Sequence, residues 1–120
     1  MKQLPQNAMG IWRITNMPVW DSEYLDMQGP ARIEILGNLT GRLRFGLVQA
    51  DIDARFELLS DTVRLEFSWA GWDETEPANG RGWMNIAGDH ATGHLFFHQG
   101  EDSAFTATKQ TTQGRFPASS

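Results

Sequence analysis

Between Gly10 and Lys109, apolar and polar residues alternate at every second position in short runs punctuated by glycine. That period belongs to a pleated strand with one face buried. Eight runs predict eight strands, at about residues 10–16, 31–36, 40–47, 50–58, 63–70, 81–88, 91–98 and 102–109. Only Asp21 to Met27 reads as helical, a turn or two opened by an acid suited to an N-cap. Residues 110–120, QTTQGRFPASS, are polar and lack alternation, which predicts a loose tail behind a single domain spanning 1–109.

Hairpin loops fix which side chains lie opposite one another, so the proposed turns can be tested against chemistry. A two-residue loop at Ser60-Asp61 sets Glu57 against Arg64, Arg55 against Glu66 and Phe56 against Leu65. A three-residue loop at Gly37-Asn38-Leu39 sets Glu34 against Arg42 and Ile33 against Leu43. Loops at Val48-Gln49, Asp89-His90 and Gly100-Glu101 would place Arg44 opposite Asp53, Trp83 opposite Phe96, and Phe96 opposite Phe105. One apolar face then runs through the whole sheet, from Trp12 and Ile14 through Phe45, Leu65 and Trp69 to Leu95 and Phe97. A single antiparallel sheet without covering helices buries such a face by closing on itself. The fold class expected is all-β, an eight-stranded antiparallel up-and-down β-barrel, with a two-sheet sandwich as the alternative. The bulky inward residues predict a filled lower interior.

Composition narrows the function. The 120 residues carry fifteen acids and ten bases, a formal net charge of −5, which argues against a nucleic-acid backbone as partner. No run approaches the roughly 18 apolar residues of a membrane-spanning helix, so no membrane partner is expected. The absence of cysteine removes disulfides, thiolate metal sites and cysteine nucleophiles. The opening residues show no apolar leader core, and a cytoplasmic location is expected.

Gly10-Ile11-Trp12 on the first strand resembles the G-x-W of lipocalins, fatty-acid-binding proteins and avidins, the barrels grouped as calycins. The resemblance implies a calycin-like barrel with Trp12 packed inside the end where the chain enters. Ile14 stands where avidin-like barrels carry an asparagine, and the motif that lipocalins carry between later strands is missing, so the fold is implied and a biotin site is not. The segments FSWAGWDETEPANGRGW (67–83) and FFHQGEDSAF (96–105) resemble a family of short, uncharacterised bacterial proteins. That likeness implies a bacterial or phage setting and no particular activity.

In a meander, odd-numbered connections share one rim and even-numbered connections the other. The odd rim is expected to carry the two long connections, 17–30 and 71–80, and with them Asp21, Glu23, Asp26, Asp73, Glu74, Glu76, Glu101 and Asp102. Crowded carboxylates favour a bound cation or a basic partner. The leading expectation is therefore a binding protein for a small or cationic ligand, with Trp20, Trp69 and Trp72 as apolar walls and Asp73, Glu74, Glu76 and Asp102 as acceptors. Inward Ala50, Gly82 and Ala104 are read as leaving a small cavity near Trp69. A scaffold or inhibitor that engages a basic protein through the rim is the second reading. The third is an enzyme using His98 with Asp102, His98 being expected opposite Ser103. The carboxylates at 73–76 do not fit a calcium loop, and His94 and His98 would lie about 13 Å apart along one strand, too far for one metal. No metal and no cofactor is expected. Trp83, Phe96 and Phe105 are predicted side by side outside the barrel, where they mark a homodimer surface.

Overall fold

Each alternating run forms a strand, and the strands pair in sequence order until the last closes on the first. The computed structural model describes residues 3–110. Residues 111–120, nearly all of the expected tail, lie outside that range. The strands are β1 (Gly10–Asn16), β2 (Arg32–Ile35), β3 (Thr40–Phe45), β4 (Val48–Leu58), β5 (Val63–Asp73), β6 (Glu76–Ala87), β7 (His90–Phe97) and β8 (Asp102–Lys109). Together they make a closed antiparallel up-and-down barrel, and the sandwich alternative falls away. A 3-10 turn at Gln6–Ala8 precedes β1, and a single helical turn, α1 (Ser22–Leu25), lies in the first connection. No helix among the described residues is long and apolar enough to cross a membrane.

Two hairpins have the predicted register. Glu57 pairs with Arg64, Arg55 with Glu66 and Phe56 with Leu65, while Glu34 pairs with Arg42 and Ile33 with Leu43. Two more keep their faces but shift along the ladder. The β3–β4 turn is Gly46-Leu47 rather than Val48-Gln49, so Arg44 meets Gln49 and Phe45 meets Val48. The β6–β7 turn is Gly88-Asp89 rather than Asp89-His90, so Trp83 meets His94. Both corrections have one cause: Gly46 and Gly88 take the positive φ that tight hairpin turns need, at +56° and +61°.

The β7–β8 turn changes a face. His98 to Glu101 form a four-residue connection in which Gln99 takes the positive φ, and Phe96 pairs with Asp102 rather than with Phe105. The register moves by an odd number of residues, which exchanges the two sides of β8. Ser103, Phe105 and Ala107 point inward and are buried; Ala104 is exposed outside. Phe105 is therefore a core residue, 2% exposed, and not part of an outer aromatic patch.

Residues 71–80 also differ from the expected loop. No long loop exists there: β5 and β6 stay paired out to Asp73 and Glu76, with Glu74-Thr75 as the turn. Polar side chains interrupt the hydrophobic pattern here, because the hairpin rises past the core: Trp72 stays 55% exposed and Ala78 is only partly buried.

Inside, large rings oppose glycines on neighbouring strands. Phe67 pairs with Gly82, Trp69 with Gly80, and Phe105 with Gly93. A methyl group at Gly82 would meet the Phe67 ring, and one at Gly80 the Trp69 indole. The space read as a cavity at Gly82 is thus filled by Phe67. Trp12 is fully buried, its indole donating to the Ala8 carbonyl at 3.0 Å. The Lys109 ammonium lies 5.1 Å from that ring's centroid, and burial lowers its pKa, with Asp89 partly opposing.

Candidate functional site

The odd connections do gather at one end. The first connection reaches the third where Gly46 donates its amide to Leu25 at 2.8 Å, and the fifth reaches the third where Glu74 donates to Leu47 at 2.9 Å. Ser103, at the foot of the seventh, accepts from the Val19 amide at 3.4 Å. Asp21 caps α1 as expected, accepting from the Tyr24 amide at 2.9 Å. The turn of helix it starts sets Trp20 and Tyr24 four residues apart and stacked, with ring centroids separated by 6.2 Å. Tyr24 lies over Gly46, where any side chain would strike its ring.

Aromatic rings plug this mouth. Trp20 packs on Phe45 at 5.4 Å and Phe97 at 6.1 Å, and Phe97 meets Trp69 edge-on at 5.0 Å. Trp69, 2% exposed, donates its indole N–H to the Arg81 carbonyl. Its wall is therefore interior to the plug. Trp72 points outward from β5 and is 55% exposed, so of the three tryptophans expected around a ligand only Trp20 sits at the mouth.

The rim acids divide by task. Asp26 is tied to Arg13 at 2.7 Å and accepts from the Ala31 amide, Asp21 serves as the cap, and Asp102 turns to the outer wall. Glu23, Asp73, Glu74, Glu76 and Glu101 make no ion pair among the described residues. Besides Arg13, a second base approaches: Arg44 reaches round from β3 to donate to the Pro30 carbonyl at 3.3 Å. The Tyr24 phenol reports the local field. Its pKa is raised, first by burial; a hydrogen bond from the Leu47 amide pulls the other way, and the charges of Asp73 and Glu101 push it up further. Tyr24, Phe97 and Glu101 are thus mouth residues alongside the predicted Trp20 and Asp73. The four-residue spacing of Trp20 and Tyr24, one on each side of the capping Asp21, is the sequence signal for that pair.

The expected partnership of His98 with Asp102 does not form. His98 is exposed in the β7–β8 turn, whereas Asp102 bonds the ring of His94. The exchanged faces of β8 explain this, since they set Asp102 beside Phe96 on the outer wall and turn Ser103 inward. No group of three metal-capable side chains occurs among the described residues.

On that outer wall two rows of side chains cross the sheet. One runs Asp53, Ser68, Arg81, Phe96 and Asp102; the next runs Arg55, Glu66, Trp83 and His94. Arg81 lies 5.1 Å from the Phe96 ring centroid and Arg64 4.7 Å from that of Trp83. A groove of about 580 Å³ opens between the rows.

Comparison with protein-family models, with curated proteins and with solved structures finds no match to this chain. The class defined is a small closed eight-stranded antiparallel up-and-down β-barrel. Neither resemblance read from its motifs is carried by a match.

Proposed function

We propose that this protein is a binding module whose acidic mouth takes a cationic group, an ammonium or guanidinium lying against Trp20 and Tyr24 with Asp73 and Glu101 as counter-charges. Aromatic faces and carboxylates together suit such a cation, since the ring quadrupole and the formal charges attract it in the same place. The observation that carries the reading is the aromatic mouth itself, Trp20 stacked on Tyr24 and packed on Phe45 and Phe97, at the end of the barrel where Asp73 at the tip of β5 and Glu101 in the β7–β8 turn make no ion pair among the described residues. Because aromatic rings fill the barrel below, the cation is held at the surface rather than swallowed. A protruding lysine or arginine of a basic protein meets the same chemistry as a free amine. Glu74 and Glu76 flank the position and add long-range attraction; Trp72 and Asp102, facing the outer wall, contribute little.

Calorimetric titration with spermidine tests the proposal, with an uncharged diol of similar length as control. Binding should weaken about tenfold in the Asp73→Asn, Glu101→Gln double variant and fall as salt rises. Equal heats from spermidine and the diol, or unchanged affinity in the double variant, would contradict it. The enzyme reading has no comparable support, because Asp102 is occupied by His94 and not by His98.

A further inference from the structure

The wall groove has a composition opposite to that of the mouth. Its sides carry three guanidinium groups, Arg55, Arg64 and Arg81, against two carboxylates, Asp53 and Glu66. Glu66 is engaged by Arg64 at 3.4 Å. Arg55 and Arg81 have no carboxylate within ion-pair distance among the described residues, although Arg55 stands directly opposite Glu66 in the ladder. Guanidinium groups held without a carboxylate keep their forked donors available for a planar acid.

The groove also has a reason to be where it is. Ser68 and Gly82 contribute almost no side chain at its centre, while Trp83 and Phe96 rise beside them on β6 and β7. Two aromatic residues on the outside of a barrel whose wall is otherwise mostly charged or small call for a partner. Arg81 and Arg64 supply part of one by stacking on them. Packing over the rings restrains both guanidinium groups in advance, which reduces the ordering cost of binding. His94, locked by Asp102 and packed on Phe96 at 4.7 Å, stiffens the same flank. The volume suits one small molecule, within the roughly 300–1,000 Å³ of ordinary ligand sites.

We infer that this groove binds a planar aromatic or heteroaromatic anion, its ring lying beside Trp83 and Phe96 and its carboxylate, sulfonate or phosphate taken by Arg81 and Arg55. The site is separate from the cationic mouth and independent of it, since it uses the other side of β5 to β7 and the opposite charge.

The test is an NMR titration of the full chain with naphthoate and, in parallel, with naphthylmethylammonium, which keeps the ring and reverses the charge. Naphthoate should move the Trp83 indole N–H resonance, and the ammonium probe should bind there at least tenfold more weakly. Arg81→Ala and Arg55→Ala should each weaken naphthoate severalfold, and Arg81→Lys should restore it only in part, because an ammonium keeps the charge but loses the planar stack. The other four indole resonances show whether each variant is folded. Equal binding of the two probes, unaltered affinity in both arginine variants, or shifts confined to Trp20 would overturn the assignment. So would a dimer, seen by sedimentation, that buries Trp83 and excludes naphthoate, because the flank would then belong to a second copy.

Discussion

Tyr24 is the chain's sole tyrosine, so the ultraviolet absorbance of phenolate reads the mouth and nothing else. Its titration should lie above the ordinary value of about 10 and move back toward it in Asp73→Asn and Glu101→Gln, which remove the two charges acting on it. Stability carries the same information with a definite sign. Above about pH 10 the unfolded chain has given up this proton while the folded chain retains it, so stability falls as pH rises through that window. Tyr24→Phe should remove that part of the fall, measured as the difference between the two proteins' denaturant midpoints against pH. Gly46→Ala should disturb the same place by another route. It would put a methyl group into the Tyr24 ring at a φ of +56°, and the phenol should titrate closer to its ordinary value once displaced.

At the scale of the element, the strands were readable wherever they bury a face, as in β4, where Ile52 and Ala54 alternate with Asp53 and Arg55. Pairs of opposite charge across β4 and β5 then support the register that the loop at Ser60-Asp61 sets. Legibility failed where that constraint lapses. Beyond Trp69 the β5–β6 hairpin has no core to face, and its pattern turned polar while its backbone pairing continued. At β7–β8 a Gly-X turn is a reasonable reading of Gly100-Glu101, but β8 offers Ser103, Phe105 and Ala107 on one side and Asp102, Ala104 and Thr106 on the other. Small residues on both sides left its parity resting largely on Phe105. The outer groove was partly visible: Trp83 and Phe96 were recognisable as outward aromatics and Arg55 and Arg64 as outward bases, whereas Arg81 beside Phe96 came only with the observed β6–β7 register. Phe105→Asp should abolish cooperative folding whereas Ala104→Asp should be tolerated, as judged by chemical denaturation. In the same assay Gly93→Ala should cost about 1–3 kcal/mol, since its methyl group would press on the Trp83 carbonyl and the Phe105 ring.

For the molecule as a whole, closing eight strands divides the surface by charge as well as by shape. The walls pair arginines with carboxylates across the strands, while the first connection, the tip of the β5–β6 hairpin and the β7–β8 turn carry Glu23, Asp73, Glu74, Glu76 and Glu101 at the end stoppered with rings. An interior filled by Phe45, Phe67, Trp69 and Phe105 leaves recognition to the outside of the barrel. The five tryptophans happen to sample each region: Trp12 at the base, Trp69 in the interior, Trp20 at the mouth, Trp72 on the projecting hairpin and Trp83 on the wall. Their indole N–H resonances, followed together while spermidine is added, test the central claim in one experiment. Cation binding at the mouth predicts that Trp20 moves first and saturably, that Trp12, Trp69 and Trp83 hold still, and that Asp73→Asn with Glu101→Gln suppresses the shift. A spectrum in which Trp69 or Trp12 responds ahead of Trp20, or in which no indole responds, would contradict it.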